Sequence, residues 1–181
     1  MKDTMKKFSP FIHEHLDVKN ELLQMARDAR VEGGEKTLQH DLASVLIYSN
    51  IVEYLAGNLL ESLNHLVKES TYKDFAGILY IERVCNQSKD LTLGAAVNEL
   101  EKFSFPDKSG ILACFKKISE SRNRLFHNFA KSDIEKIKEL VAQDLPTIQN
   151  ESEEVITKIN VVYAGLQKIL VTPRSGEEKK V

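Results

Sequence analysis

Between Glu35 and Lys68 the chain sets apolar or small residues at Leu38, Leu42, Val45, Ser49, Val52, Ala56, Leu59, Leu63 and Leu66. The spacings alternate four and three, which draws one continuous stripe down a helix. Leu46, Leu55, Leu60 and Val67 widen that stripe beyond the thin seam of a coiled coil. About 30 residues at ~1.5 Å per residue make a rod of about 45 Å. A rod of that length needs other long helices beside it to keep its apolar face out of water.

Such helices are written on both sides of it. His13 to Val31 carries Leu16, Leu22, Leu23, Met25, Ala26 and Ala29, and Gly33-Gly34 ends that element as glycine after a helix does. Thr71 to Val84 predicts a shorter helix through Phe75, Ile78, Leu79 and Ile81, followed by a polar loop at Asn86-Gln-Ser-Lys-Asp90. Thr92 to Phe103 predicts another, with Leu93, Ala96, Val97 and Leu100, and Phe105-Pro-Asp-Lys-Ser-Gly110 is the clearest loop. Ile111 to Phe129 returns to the helical period through Leu112, Phe115, Ile118, Leu125 and Phe129. Ser132-Asp-Ile-Glu135 has the spelling of a capping box and opens a further element with Ile134, Ile137, Leu140 and Val141. Pro146 predicts a kink or restart near Asp144, before a last helix with Val155, Ile159, Val162, Tyr163, Leu166, Ile169 and Leu170. No strand of period two and no internal repeat occurs. The pattern predicts an all-α, mostly antiparallel helical bundle of four to five main helices plus short ones. One domain covers residues 1–171, and residues 172–181 form a flexible C-terminal tail.

The 181 residues suit one domain, and few breakers (8 Gly, 4 Pro) agree with long helices. Lys plus Arg number 25 and Asp plus Glu 27, so the net charge is −2, which excludes a broadly basic nucleic-acid coat but not a local basic cleft. Cys85 and Cys114 cannot make a disulfide framework and read as small buried hydrophobes. The stretch Met1 to Phe8 lacks the apolar core of a signal peptide, and no run approaches the ~18 apolar residues of a membrane span. The expectation is a cytoplasmic protein with no membrane segment.

Glycine-rich phosphate loops and HExxH are absent, so no cofactor or metal is expected. His13-Glu-His15 places its two rings on different helix faces, a poor geometry for a metal. His40 and His65 read as solvated or hydrogen-bonded surface residues, and Lys116-Lys117 and Glu153-Glu154 as solvated helix faces.

Ser121-Arg-Asn-Arg-Leu-Phe-His-Asn-Phe129 is different, because it gathers Arg122, Asn123, Arg124, His127 and Asn128 within seven residues. Phosphate backbones need cations and donors, which Arg124 and Asn128 would supply as RNA-binding residues. Transesterification also needs a group that moves protons near neutral pH, for which His suits, and a fixed cation for charge developing on phosphorus, for which Arg suits. Asn123 and His127 are i, i+4, so Asn123 can orient the imidazole. Arg122 and His127 are i, i+5, roughly 140° apart, so one helix does not aim both at one phosphate. Two copies meeting across a two-fold axis could pool both pairs in one cleft, and a catalytic role therefore predicts a homodimer.

Arg122-Asn-Arg-Leu-Phe-His127 resembles the arginine, four to six residues, histidine signature of HEPN domains (higher eukaryotes and prokaryotes nucleotide-binding), in its Arg-Asn-x-x-x-His form. The resemblance implies a helical bundle, symmetric dimerisation and, in catalytic members, metal-independent endoribonuclease activity in toxin–antitoxin, phage-defence or RNA-processing systems. It makes Arg122 the group that stabilises the phosphorane. His127 becomes the group that moves the proton of the ribose 2′-hydroxyl or of the leaving 5′-oxygen, with Asn123 in support. An acidic residue on the second long helix often accompanies the cleft; Glu53 and Glu61 are the candidates here. RNA, a second copy of the chain, and an antitoxin or nucleotidyltransferase encoded elsewhere are the partners implied. Some HEPN-like bundles are instead non-catalytic binding or scaffold modules for a protein or nucleotide, and an unrelated helical interaction protein is a third reading. The facing of two 122–128 segments across a two-fold axis separates them.

Overall fold

The computed structural model describes residues 21–25, 27–28, 38–75, 91–129 and 131–171. Among them, all regular structure is helical and no strand occurs. Residues 21–25 and 27–28 form α1; the other helices are α2 (Leu38–Phe75), α3 (Leu93–Leu100), α4 (Lys108–Phe129) and α5 (Ile134–Val171). Their buried side chains make one core cluster, an all-α bundle as the periodicity predicts. The expectations for residues 13–20, for Gly33-Gly34, for residues 76–90 with Cys85, and for the tail at 172–181 lie outside the described residues.

The stripe on α2 is real, with two corrections. Val45, Ser49, Val52, Ala56, Leu59 and Leu63 are buried on it, and Leu55 and Leu60 join them. Leu46 and Val67 do not, since both are exposed; Tyr48 and Ile51 take the core positions instead. The helix also runs on to Phe75 through the expected boundary near Thr71, where no glycine or proline stands to stop it.

Short α3 buries Leu93, Ala96, Val97 and Leu100, and the Thr92 hydroxyl accepts from the Ala95 N–H at 3.4 Å to cap it. The loop after it is shorter than its composition predicts, because α4 starts at Lys108 and takes in Ser109 and Gly110. Asp107 precedes it at φ 52, a left-handed conformation that Asp tolerates, and its carbonyl accepts from the Ile111 N–H at 3.0 Å. Gly110 sits under the Asp107–Lys158 pair: a Cβ there would meet Asp107 Oδ1 and Lys158 Nζ at 2.6 Å, so both side-chain ends would have to shift.

In α5 the cap is Asp133, one residue later than the expected Ser132: its carboxylate accepts from the Lys136 N–H at 2.8 Å. A carboxylate at a helix N-terminus also meets the positive end of the dipole, which a hydroxyl does not exploit. The helix then passes through Pro146 without the expected restart. Proline removes one N–H, but Val141, Asp144, Ile148 and Ser152 are buried on either side, and their packing keeps the helix continuous across it.

Cross-helix pairs fix the directions. Asp107 pairs with Lys158, Lys117 with Glu151 and Arg124 with Asp144, so α4 and α5 run antiparallel. Tyr48 donates to Glu153 at 3.2 Å, and Tyr163 lies beside Ser62, so α2 and α5 run parallel and α4 opposes both. Arg27 on α1 forks onto Glu153 at 2.9 and 2.5 Å beside the buried Leu23, which fastens α1 to α5. Glu153, Glu154, Lys116 and Lys117 are therefore ion-paired rather than merely solvated: Lys116 reaches Glu101, and Lys158 lies 3.4 Å from Glu154. No helix among the described residues is long and apolar enough to cross a membrane.

Candidate functional site

The last two turns of α4 carry the residue set singled out by sequence. Ile118, Ser121 and Leu125 are buried and mark the inward side of the helix. At ~100° per residue, Arg122 then flanks the core on one side, Arg124 and Asn128 flank it on the other, and Asn123 and His127 point away from it. The accessibility pattern follows that wheel: Arg122 and Asn128 are half-buried, while Asn123, Arg124 and His127 are exposed.

Arg122 Nη1 donates to Glu53 Oε1 on α2 at 2.5 Å. The same oxygen accepts the Leu93 N–H, the first of α3, at 3.1 Å. One carboxylate thus joins α2, α3 and α4, and it answers both a cation and the positive end of a helix. The pair is partly open, with the Arg122 side chain 30% and the Glu53 side chain 21% accessible. Of the two acidic candidates on α2, Glu53 is the one at Arg122. Glu61 is exposed two turns further along, on the order of 12 Å away.

Arg124 behaves differently. Its Nε donates to both oxygens of Asp144, at 3.1 and 3.0 Å, and its Nη2 donates to Asp144 Oδ1. Asp144 is wholly buried. These hydrogen bonds, and then the charge of Asp144, push the Arg124 pKa further up. Arg124 is thus committed to neutralising a buried carboxylate on α5. Asn128 Nδ2 donates to the Arg124 carbonyl at 2.7 Å, closing the end of the helix.

His127 has no hydrogen-bond or ion-pair partner among the described residues, and neither has Asn123; the two do not bond each other. Between Arg122 and His127, Phe126 leaves 40% of its surface accessible. Its ring centroid stands 5.5 Å from that of Phe129, with the planes tilted by 31°.

Sequence reasoning missed the partner of Arg124. The signal was present: Asp144 falls on the apolar stripe between Val141 and Ile148, where a lone carboxylate must find a cation. His40 is exposed on α2, as expected of a surface histidine.

One cluster has metal-ligand composition. Cys114 Sγ and carboxylate oxygens of Glu151 and Glu154 lie within 4.8 Å of one another. Lys117 holds Glu151 at 2.6 Å and Lys158 lies 3.4 Å from Glu154, so both carboxylates already face an ammonium group. Burial, then the hydrogen bond with Glu151, pushes the Cys114 thiol up to about 12. The donor set suits an ion-pair node with a protonated thiol better than a cation site. Burial likewise raises Tyr163 above the ordinary phenol range.

Compared with protein-family models, curated proteins and solved structures, the chain matches none of them. The functional reading therefore rests on the residues of the site.

Proposed function

We propose that the chain is a HEPN-type, homodimeric, metal-independent endoribonuclease that acts in the cytoplasm, as a toxin or phage-defence effector. The observation that carries this reading is the contrast at the end of α4: Arg122 is held at the surface by Glu53, and His127 is exposed with no hydrogen-bond or ion-pair partner among the described residues. A guanidinium fixed by a carboxylate is set in one direction, and an unengaged imidazole is free to exchange protons with a substrate.

In the proposed reaction His127 takes the proton of the ribose 2′-hydroxyl. The 2′-oxygen bonds to phosphorus, and Arg122 faces the charge on the non-bridging oxygens. The bond to the 5′-oxygen breaks, and that oxygen takes a proton from the imidazolium that His127 has become, which restores the neutral imidazole. The products are a 2′,3′-cyclic phosphate and a 5′-hydroxyl end. Arg122 and His127 lie on different sides of one helix, so the reaction needs the second copy to bring an arginine and a histidine to one phosphate. Arg124 does not contribute to phosphate binding in this scheme, because Asp144 holds it.

The test is cleavage of a labelled RNA with EDTA present, followed by analysis of the product ends. Cleavage to cyclic-phosphate ends that His127→Ala all but abolishes supports the reading; cleavage by His127→Ala as fast as the parent's, or cleavage that requires a divalent metal, refutes it. A second reading, a non-catalytic binding or scaffold module, is favoured by one specific observation: Arg122 already has its charge answered within its own chain. That reading predicts no cleavage by the parent protein.

A further inference from the structure

Phe126 has no part in the proposed chemistry, and its exposure is out of character for its helix. On α4 the large apolar side chains Ile111, Phe115, Ile118 and Leu125 are fully or almost fully buried, whereas Phe126 keeps 40% of its surface open. It stands four residues after Arg122 and immediately before His127, so its ring shares a face with the guanidinium and adjoins the imidazole. The Phe129 ring, itself packed against the core, stands 5.5 Å from that of Phe126.

We infer that Phe126 is a stacking platform for one nucleobase of single-stranded RNA. The inference rests on the ribonuclease reading for the placement of the phosphate at Arg122, but names a contact and a substrate class which that reading does not. Residues i and i+4 on a helix lie ~5–6 Å apart at Cβ, a span comparable to that from a phosphate to the base of its own nucleotide. A cation and a flat apolar ring at that spacing match the two ends of a nucleotide. Asn123, exposed one turn away and unpartnered among the described residues, offers donors and an acceptor to a base edge or a sugar. A paired base keeps its faces inside the duplex stack, so the platform selects unpaired strands, loops or bulges. The near-neutral chain fits this arrangement, since stacking supplies affinity that a basic surface would otherwise have to provide.

The experiment uses the full chain carrying His127→Ala, so that RNA stays intact. Binding of a fluorescently labelled single-stranded RNA dodecamer, and of the same sequence as a duplex, is measured by anisotropy with Phe126, F126A, F126L and F126W. Sedimentation records the oligomeric state of each. Single-strand binding should exceed duplex binding, weaken on the order of tenfold in F126A and F126L, and persist in F126W. Equal binding by F126A overturns the platform. So does a change of oligomeric state in F126A or F126L, because Phe126 is then a contact between copies. The two readings fail separately. Phe126-dependent binding by a chain whose parent form cleaves nothing keeps the platform and removes the nuclease. Cleavage indifferent to Phe126 does the reverse, and no binding to any RNA removes the platform.

Discussion

Two arginines, two positions apart on α4, meet opposite fates. Arg124 forks onto Asp144, a carboxylate with no accessible surface, and seals the seam between α4 and α5. Arg122 meets Glu53 at a partly open junction of three helices, beside an exposed ring and an unengaged imidazole. Residue type does not separate them, since both are arginines in carboxylate pairs. Burial of the partner does: a buried carboxylate must be answered by its arginine at all times, while a partly solvated one can yield it to a substrate phosphate. The first side of the helix is committed to stability and the second is available for chemistry.

The sharpest way to break this contrast is His127→Ala. Loss of a proton-transferring group should lower RNA cleavage about 10²–10⁴-fold, with the urea unfolding midpoint unchanged because the side chain is exposed and has no hydrogen-bond or ion-pair partner among the described residues. A fall in stability instead would place His127 in the structural half of the helix. On the inward side, Phe115→Ala should cost about 3–5 kcal/mol by urea denaturation, since Phe115 is fully buried. Arg124→Ala should lower the midpoint in the same experiment, by more than Arg122→Ala does, and affect cleavage only as far as folded protein is lost. The opposite ranking would undo the distinction between the two arginines.

A smaller effect is expected at Glu53. Glu53→Gln keeps an acceptor for the Leu93 N–H but removes the charge that holds Arg122. Stability should fall by about 1 kcal/mol, while cleavage falls further than that loss of folded protein explains.

The effect that is smallest at neutral pH, and grows only on the alkaline side, is a pH dependence at Cys114. Burial raises its thiol from 9.0 to about 12 in the fold, so between those values the folded chain holds a proton that the unfolded chain releases. The contribution is fully present below about pH 9 and is lost as pH rises towards 12. Cys114→Ala should flatten the alkaline limb of a stability–pH profile, and an unchanged limb would show that the thiol is not desolvated. Iodoacetamide should label Cys114 slowly until the protein unfolds.

Much of the fold is legible along the chain because helix formation is local. The stripe on α2, the four buried residues of α3 and the inward face of α4 follow from a period of 3.6 alone. Errors gather where a local signal had to be weighed against packing out of view. Pro146 reads as a kink or restart, and the restart does not occur, because buried side chains on both flanks carry α5 through it. Leu46 and Val67 read as core because hydropathy does not say how many neighbours a helix has on each side, and the fold leaves both side chains exposed. The candidate site divides in the same way. Arg122, Asn123 and His127 are found by composition and spacing, and Phe126 is visible only once its exposure is known.

The sequence by itself determined that this chain is a helical bundle and that one segment of it concentrates groups suited to phosphate chemistry. Tertiary structure decided which of those groups are free. Arg122 meets Glu53 across 69 residues and Arg124 meets Asp144 across 20, and no local pattern carries either pairing. A charge is attracted to whatever the fold brings within a few ångströms, and its strength depends on how much water the fold leaves there.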